Sequence, residues 1–371
     1  MRTSTTKNLI YVFLILVITG LTALFFQVNS NLYKQPIGRV TQVTTQATGS
    51  QVDQFKNRVK TYQQTVTLRL LNRQQPTRLK VTNYYDAAQG MNQPVKEGQQ
   101  VFLNQSQHGH WQIDTIKRDG IWVPFLVLIA GILILVLGPR AKRTLCSLGV
   151  NIGLFIFFLW LSGLFPNVNL FYLFCFFSGL ATIVTLGLVL GFKQERTWTI
   201  VAAVLTTTLL TLALAALVFN LLNNRGIYFE HMEYTSQDPY QLLMAMTVIG
   251  VLGAVMDEAT DITTTLYSVR QENPDLNRKQ LAMIGRQVGQ EIFGALNNVL
   301  FLIFIAEQIP MTVLYFQNGN SWPFTYTANL SIGMIQTLIS AIGIVLTVPV
   351  SIGWFLVLDH GRLKWLQQKE K

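Results

Sequence analysis

Apolar positions run for membrane lengths in eight places along this chain, and between the first two such runs the pattern changes to strict alternation. A segment that crosses a bilayer as a helix needs about 20 apolar residues. The runs that qualify lie at 9–28, 121–138, 146–165, 168–191, 198–222, 240–266, 289–309 and 328–358, the last overlong and interrupted by Pro349. Residues 29–119 read differently. Short alternating segments recur there, "TVTLRLL" (65–71), "TRLKVTNYY" (77–85), "QQVFLN" (99–104) and "HWQIDTIK" (110–117), separated by turn-rich stretches such as "NRQQPT" and "NQPVKEGQQ". Period-2 alternation over short, regularly spaced runs predicts a small β-barrel or sandwich of OB-like size. The pattern thus predicts an α-helical polytopic membrane protein of about eight spans. It divides into an anchor at 1–28, a β domain at 29–119, a multi-pass domain at 120–358 and a basic tail at 359–371.

Composition agrees. Half of the 371 residues are hydrophobic and only 12% are charged, against roughly a quarter in soluble domains. The net charge of +10 does not imply nucleic acid, because Lys and Arg sit where helices would leave the bilayer. With the N-terminus inside, residues 1–8, 139–143, 192–196, 267–288 and the tail from 360 hold 15 Lys and Arg, and the short outer loops hold one, Arg225. This bias predicts cytoplasmic N- and C-termini and an extracytoplasmic 29–119. The first run is long for a signal-peptide core, and no A-x-A site follows it, so it reads as an uncleaved anchor. Cys146 and Cys175 lie in or beside apolar runs and make no disulfide framework.

Candidate chemistry emerges by elimination. The chain has no G-K-[ST], H-E-x-x-H, C-x-x-C or G-x-S-x-G motif. His108, His110, His231 and His360 all lie outside the expected spans, and His108 and His110 read as surface residues of a hairpin tip around Gly109. No enzyme activity and no cofactor is expected. Transport work would draw on an ion gradient or a partner.

What remains is acidic. In "GAVMDEATDITTTL" (253–266), Asp257, Glu258 and Asp261 extend the sixth run without a turn residue. At helical spacing Gly250, Gly253, Ala254, Asp257, Asp261 and Thr264 share a face about 100° wide, and Glu258 points about 100° away from Asp257. Counted from Gln241, Asp257 lies about 24 Å along the helix, in the inner half of a core about 30 Å thick. The seventh run repeats the pattern with Glu291, Gly294, Ala295 and Asn298 on one face. Small residues let helices approach and polar ones bond across the contact. The two faces are therefore expected to pack through Gly250, Gly253 and Gly294. That would gather Asp257, Asp261, Glu291, Asn298 and Thr264 into a proton or hard-cation site. Glu258 is read as an interfacial, solvated residue outside it. Between the runs, Asn273-Pro274 marks a turn, and Asn277 with Gln280 forms an N-cap and capping-box pair opening an amphipathic segment that leads into the seventh span. Glu307 and Pro310 are read as its far terminus.

These motifs resemble the YibE/F-like family of multi-pass bacterial membrane proteins over roughly 120–358. The pattern is G-A-x-M-D-x-x-x-D-I, here Gly253, Ala254, Met256, Asp257, Asp261 and Ile262. It continues as N-P-x-L, here Asn273, Pro274 and Leu276, and as G-x-[DE]-I-x-G-x-x-x-N, here Gly289, Glu291, Ile292, Gly294 and Asn298. Glu258 stands where the pattern has an apolar residue. The resemblance implies a bacterial plasma-membrane location, a family form with an extracytoplasmic N-terminal portion, and a second, shorter YibE/F-like protein as a partner; it supplies no established activity. The reading that follows is a permease or exporter of a small solute or ion, coupled to protons or cations at the acidic site. The alternative is a non-transporting subunit or scaffold that binds envelope components or that second protein.

Overall fold

The computed structural model describes residues 2–52, 56–72, 78–89, 92–106, 110–165, 167–221, 223, 226–229, 232 and 238–369. The chain divides into two compact units, Met1–Ala141 and Lys142–Lys371.

The first unit brackets a five-stranded sheet between two apolar helices, α1 (Arg2–Val28) and α2 (Asp119–Leu137). The strands are β1 (Ile37–Val52), β2 (Arg58–Leu70), β3 (Arg78–Asp86), β4 (Gln100–Gln105) and β5 (Trp111–Ile116). They pair antiparallel in the order β3-β2-β1-β4-β5. Alternation drives β2: Gln64, Val66, Leu68 and Leu70 point inward and meet Val40, Val81, Val101 and Leu103. One inward residue is polar and fully used. Gln64 accepts from Val95 N at 2.9 Å and from Asn83 Nδ2 at 3.1 Å, and donates to Val95 O at 3.2 Å, which ties the segment before β4 across the sheet.

The sheet is fastened to its helices by one buried cation. Lys117, whose side chain is 2% exposed, donates to Phe26 O and to Asn29 Oδ1 (2.8 Å) and pairs with Asp119 at 2.8 Å. Tyr33 donates its hydroxyl to the same carboxylate. That bond and burial push the phenol's pKa up, so it remains a donor through neutral pH. Lys117→Met would leave Asp119 without its counter-charge. A loss of about 3 kcal/mol is expected, because breaking a buried pair from one side strands the other charge; thermal unfolding of the full chain reads it as a lowered midpoint.

The second unit is helical: α3 (Ala141–Leu164), α4 (Leu170–Leu186), α5 (Glu195–Leu221), α6 (Pro239–Glu272), α7 (Arg278–Gln317), α8 (Trp322–Thr325) and α9 (Ser331–Lys369). Eight helical segments among the described residues of the whole chain are long and apolar enough to cross a membrane. Buried side chains of α5 and α6, with Ile339 of α9, form the largest apolar cluster. The pairing of Asn277 with Gln280 is present, each side chain bonded to the other's backbone N–H at 2.9 Å. The helix it opens runs unbroken through the amphipathic segment and the seventh span to Gln317. Pro310 therefore lies inside α7 and does not end it, a correction to the sequence reading. Missing one backbone donor costs one intrahelical bond, which a long apolar helix tolerates.

A second fastening closes the far end of α6. Arg270 bonds Asp359 through Nη2 (3.0 Å) and Nε (3.2 Å) and spends Nη1 on the carbonyls of Pro274 and Leu276. Four bonds from one planar fork fix α6, the following turn and α9 together. Arg270→Lys keeps the charge and loses the fork, so a destabilisation of about 2 kcal/mol is expected, measured as a lowered melting temperature.

Candidate functional site

The opening of α6 is well determined: Asp238 caps it, accepting from Tyr240 N at 2.9 Å, and Pro239 occupies the first turn. From there the helix has two unlike sides. The large apolar residues Val248, Val251, Val255, Ile262 and Leu266 are fully buried. The opposite side carries Met246, Ile249, Gly250, Gly253, Asp257 and Asp261, all exposed. Asp257 and Asp261, one turn apart, thus lie on an open face, while Thr264 is half-buried with a hydroxyl oxygen that has no partner.

Glu258 is the reverse of what the sequence reading expects. It is 0% exposed, and neither carboxyl oxygen has a hydrogen-bond partner. The angular split of α6 is as read, with Glu258 a quarter-turn from Asp257, but the side turned inward is the other one. The reason is local: Glu258 follows Val251 by seven residues and Val255 by three, and precedes Ile262 by four. It therefore belongs to the bulky apolar stripe that helix packing buries.

The expected packing of α6 on α7 through small residues is also corrected. A Cβ added at Gly253 or Gly294 would meet nothing within 4 Å, and at Gly250 only Ser340 Oγ at 3.8 Å. Helix α7 spends its glycines elsewhere. A Cβ at Gly285 would lie 2.7 Å from Ile352, and at Gly289 2.6 Å from Val348, so α7 rests its Gly285–Gly289 side on α9. A helix presents one side to a close neighbour, and Glu291, Gly294 and Asn298 lie nearly opposite those glycines. Glu291 and Asn298 are exposed, and Glu291 accepts from Gln287 Nε2 at 3.2 Å. A cleft of about 620 Å³ opens beside this seam, lined by Ala282, Arg286, Gln290, Phe293, Leu346 and Pro349.

At the level of Glu258 the neighbouring helices carry hydroxyls. Gly250 lies beside Ser340, Gly343 packs on Val251 and Val255, and Arg270 bonds Asp359. This parallel register sets Glu258 level with Thr347, with Ser351 one turn further. Thr211 also meets Gly343, and Trp354 Nε1 donates to Thr206 at 3.1 Å, so antiparallel α5 places Thr207 at the same level. Thr207, Thr347 and Ser351 are each 0–1% exposed. Thr347 donates back to Gly343 O at 2.8 Å, while the hydroxyls of Thr207 and Ser351 have no partner. These residues were missed because Ser and Thr in a long apolar helix usually bond their own backbone. The signal available was the run "TTTLLT" (206–211) facing a carboxyl on a bulky stripe.

Among the described residues no group of three or more His, Cys, Asp or Glu could hold a metal ion. His110 is exposed, and His108, Gly109, His231 and Arg225 lie outside the described residues.

Fold and site define a class: a polytopic helical protein with membrane-length helices, a small antiparallel β domain and a carboxyl group sealed among its central helices. The model of the YibE/F-like protein matches residues 125–358, and that of the YibE/F family N-terminal domain matches 31–118. The chain belongs to the YibE/F-like family. No curated protein and no solved structure matches it.

Proposed function

We propose that this protein is a membrane permease or exporter of a small solute or ion, coupled to a proton or cation through the acids of α6. The observation that carries this reading is Glu258. A carboxyl group buried among apolar helices costs several kcal/mol as a bare anion. No Lys, Arg or His occurs on α4, on α5 beyond Arg196, or on α9 before Asp359, and Arg286 of α7 is exposed; no cation bonds Glu258, whose carboxyl oxygens have no partner. A group of that kind persists where a proton or cation comes and goes. Asp257 and Asp261 then act differently from Glu258. On the open face of the same helix they raise local cation concentration and feed the buried group, with Thr264, Glu291 and Asn298 adding oxygens along the approach. The cleft between α7 and α9 lies on the reverse side of α9 from Ser351, where movement of α9 would link ion occupancy to solute passage.

In this reading the protein sits in the bacterial plasma membrane with both termini cytoplasmic, and residues 29–119 are extracytoplasmic. Their strand order, with β3 and β5 near each other across the open edges, supports reading them as an OB-like barrel that receives a solute or an envelope component. The test is cation or pH flux in proteoliposomes. Asp257→Asn combined with Asp261→Asn is expected to raise the half-saturating cation concentration about fivefold, an effect that high salt diminishes because exposed charges are screened. Flux unchanged by this pair and by Glu258→Gln would sink the coupling.

A second reading has its own observation. The bare Gly253–Asp257–Asp261 and Glu291–Gly294–Asn298 faces are also what a membrane subunit offers to a second YibE/F-like protein. Loss of a co-purifying membrane partner in Asp257→Asn, with no flux in the wild type, would favour it.

A further inference from the structure

We infer that Glu258, Thr207 and Ser351, with the Thr347 hydroxyl beside them, hold one dehydrated monovalent cation of sodium size where α5, α6 and α9 meet. This deepens the coupling reading and rests on it only for the ion's role in transport. Three observations converge. First, four oxygen atoms without partners, two on Glu258 and one each on Thr207 and Ser351, belong to residues that are 0% exposed. The contacts of Gly250, Gly343, Arg270 and Trp354 fix the register that sets Glu258 and Thr207 at the level of Thr347, with Ser351 one turn further along α9. Second, the charge is set. Among the described residues Glu258 is the one ionisable residue on the buried sides of α5, α6 and α9 facing this point: Asp257 and Asp261 turn outward, Arg286 and Glu291 of α7 are exposed, and the facing stretches of α4, α5 and α9 carry no charge. One negative charge is neutralised by a monovalent ion, whereas a divalent ion would leave a net positive charge in apolar surroundings. Third, a proton alone gives the acid a single donor, which serves one hydroxyl oxygen and leaves the other without one, at about 1–3 kcal/mol. A cation satisfies all four oxygens at once, and the Thr347 oxygen, which donates to Gly343, keeps lone pairs to contribute. Hydroxyl and carboxylate oxygens are hard donors, suited to an alkali ion and not to a soft metal.

The experiment is equilibrium ²²Na⁺ binding to the purified full-length protein by scintillation proximity, with choline as the balancing cation, alongside thermal unfolding with and without Na⁺. Saturable binding is expected, competed by Li⁺ and not by choline. Glu258→Gln is expected to abolish it, and Thr207→Val and Ser351→Ala to weaken it about tenfold each, near 1.4 kcal/mol. Na⁺ should raise the melting temperature of the wild type and leave that of Glu258→Gln unmoved, which separates loss of the site from loss of fold. A folded wild type that binds no ²²Na⁺, or hydroxyl variants that bind as tightly as it does, would overturn the assignment. The two proposals fail separately. A pH gradient that drives flux through Glu258 without Na⁺ binding refutes the cation site and keeps the coupling. Na⁺ binding without any flux keeps the site and refutes the transport reading.

Discussion

Glu258→Gln is expected to reduce gradient-driven flux in proteoliposomes on the order of 100-fold, equivalent to about 2.7 kcal/mol of lost coupling, without unfolding the protein. Glutamine has the shape of the glutamic acid and stays neutral. The variant therefore cannot carry a charge into or out of the contact of α5, α6 and α9. It also removes the cost of a buried ionisable group. Glu258 is 0% exposed with no internal partner, and replacing an unpaired buried charge by a neutral isostere is neutral or stabilising. The expected signature is thus a melting temperature at or above that of the wild type together with flux at background. Unfolding of Glu258→Gln would instead assign the residue a structural role. Exposed Asp257 and Asp261 should show the opposite balance, with altered apparent affinity and the maximal rate retained. Flux is read as ²²Na⁺ counterflow and, separately, as collapse of an imposed pH gradient.

The second large effect concerns packing. Gly289→Leu should destabilise the fold by about 3 kcal/mol, at the upper end of the usual cost of overpacking, and should lower the yield of folded protein sharply. The added side chain would start 2.6 Å from Val348 Cγ2, and Gly285 already brings α7 close to Ile352 one turn earlier. Neither neighbour is a flexible end that can swing away: both are β-branched residues on α9, held at χ1 by their own helix. A Cβ at Gly294 or Gly253 meets nothing within 4 Å, and Gly294→Leu and Gly253→Leu should fold like the wild type. Melting temperatures of the three variants in one detergent check the contrast. A stable Gly289→Leu beside a collapsed Gly294→Leu would show that α7 turns its other side inward.

The contrast also shows what could be read from the sequence. The eight helices are legible because hydropathy over 20 residues needs no neighbour to interpret it. Strands β2 to β5 are legible from alternation, but β1 is not: beyond Ile37, Val40 and the half-buried Val43 its run is polar and exposed, held mainly by pairing along β2. The capping pair Asn277–Gln280 is legible because it is local. The site is only half legible. Helical spacing alone separates Glu258 from Asp257 and Asp261, yet which side faces in depends on what packs there. The small residues suggest the contact, whereas Val251, Val255 and Ile262 define it. Gly285 and Gly289 outcompete Gly294 for a neighbour only because α9 lies on their side. Likewise Thr207 and Ser351 acquire meaning from registers between helices that no single segment encodes.

The orientation of α6 decides which acids meet the neighbouring helices, and cysteine accessibility tests it most directly. In a background with Cys146 and Cys175 replaced by serine, Asp257→Cys, Glu258→Cys and Asp261→Cys are exposed in turn to a water-soluble maleimide in intact proteoliposomes. Reaction at positions 257 and 261 with protection at 258 is the result predicted here. Ready labelling at 258 with protection at 257 and 261 would contradict it.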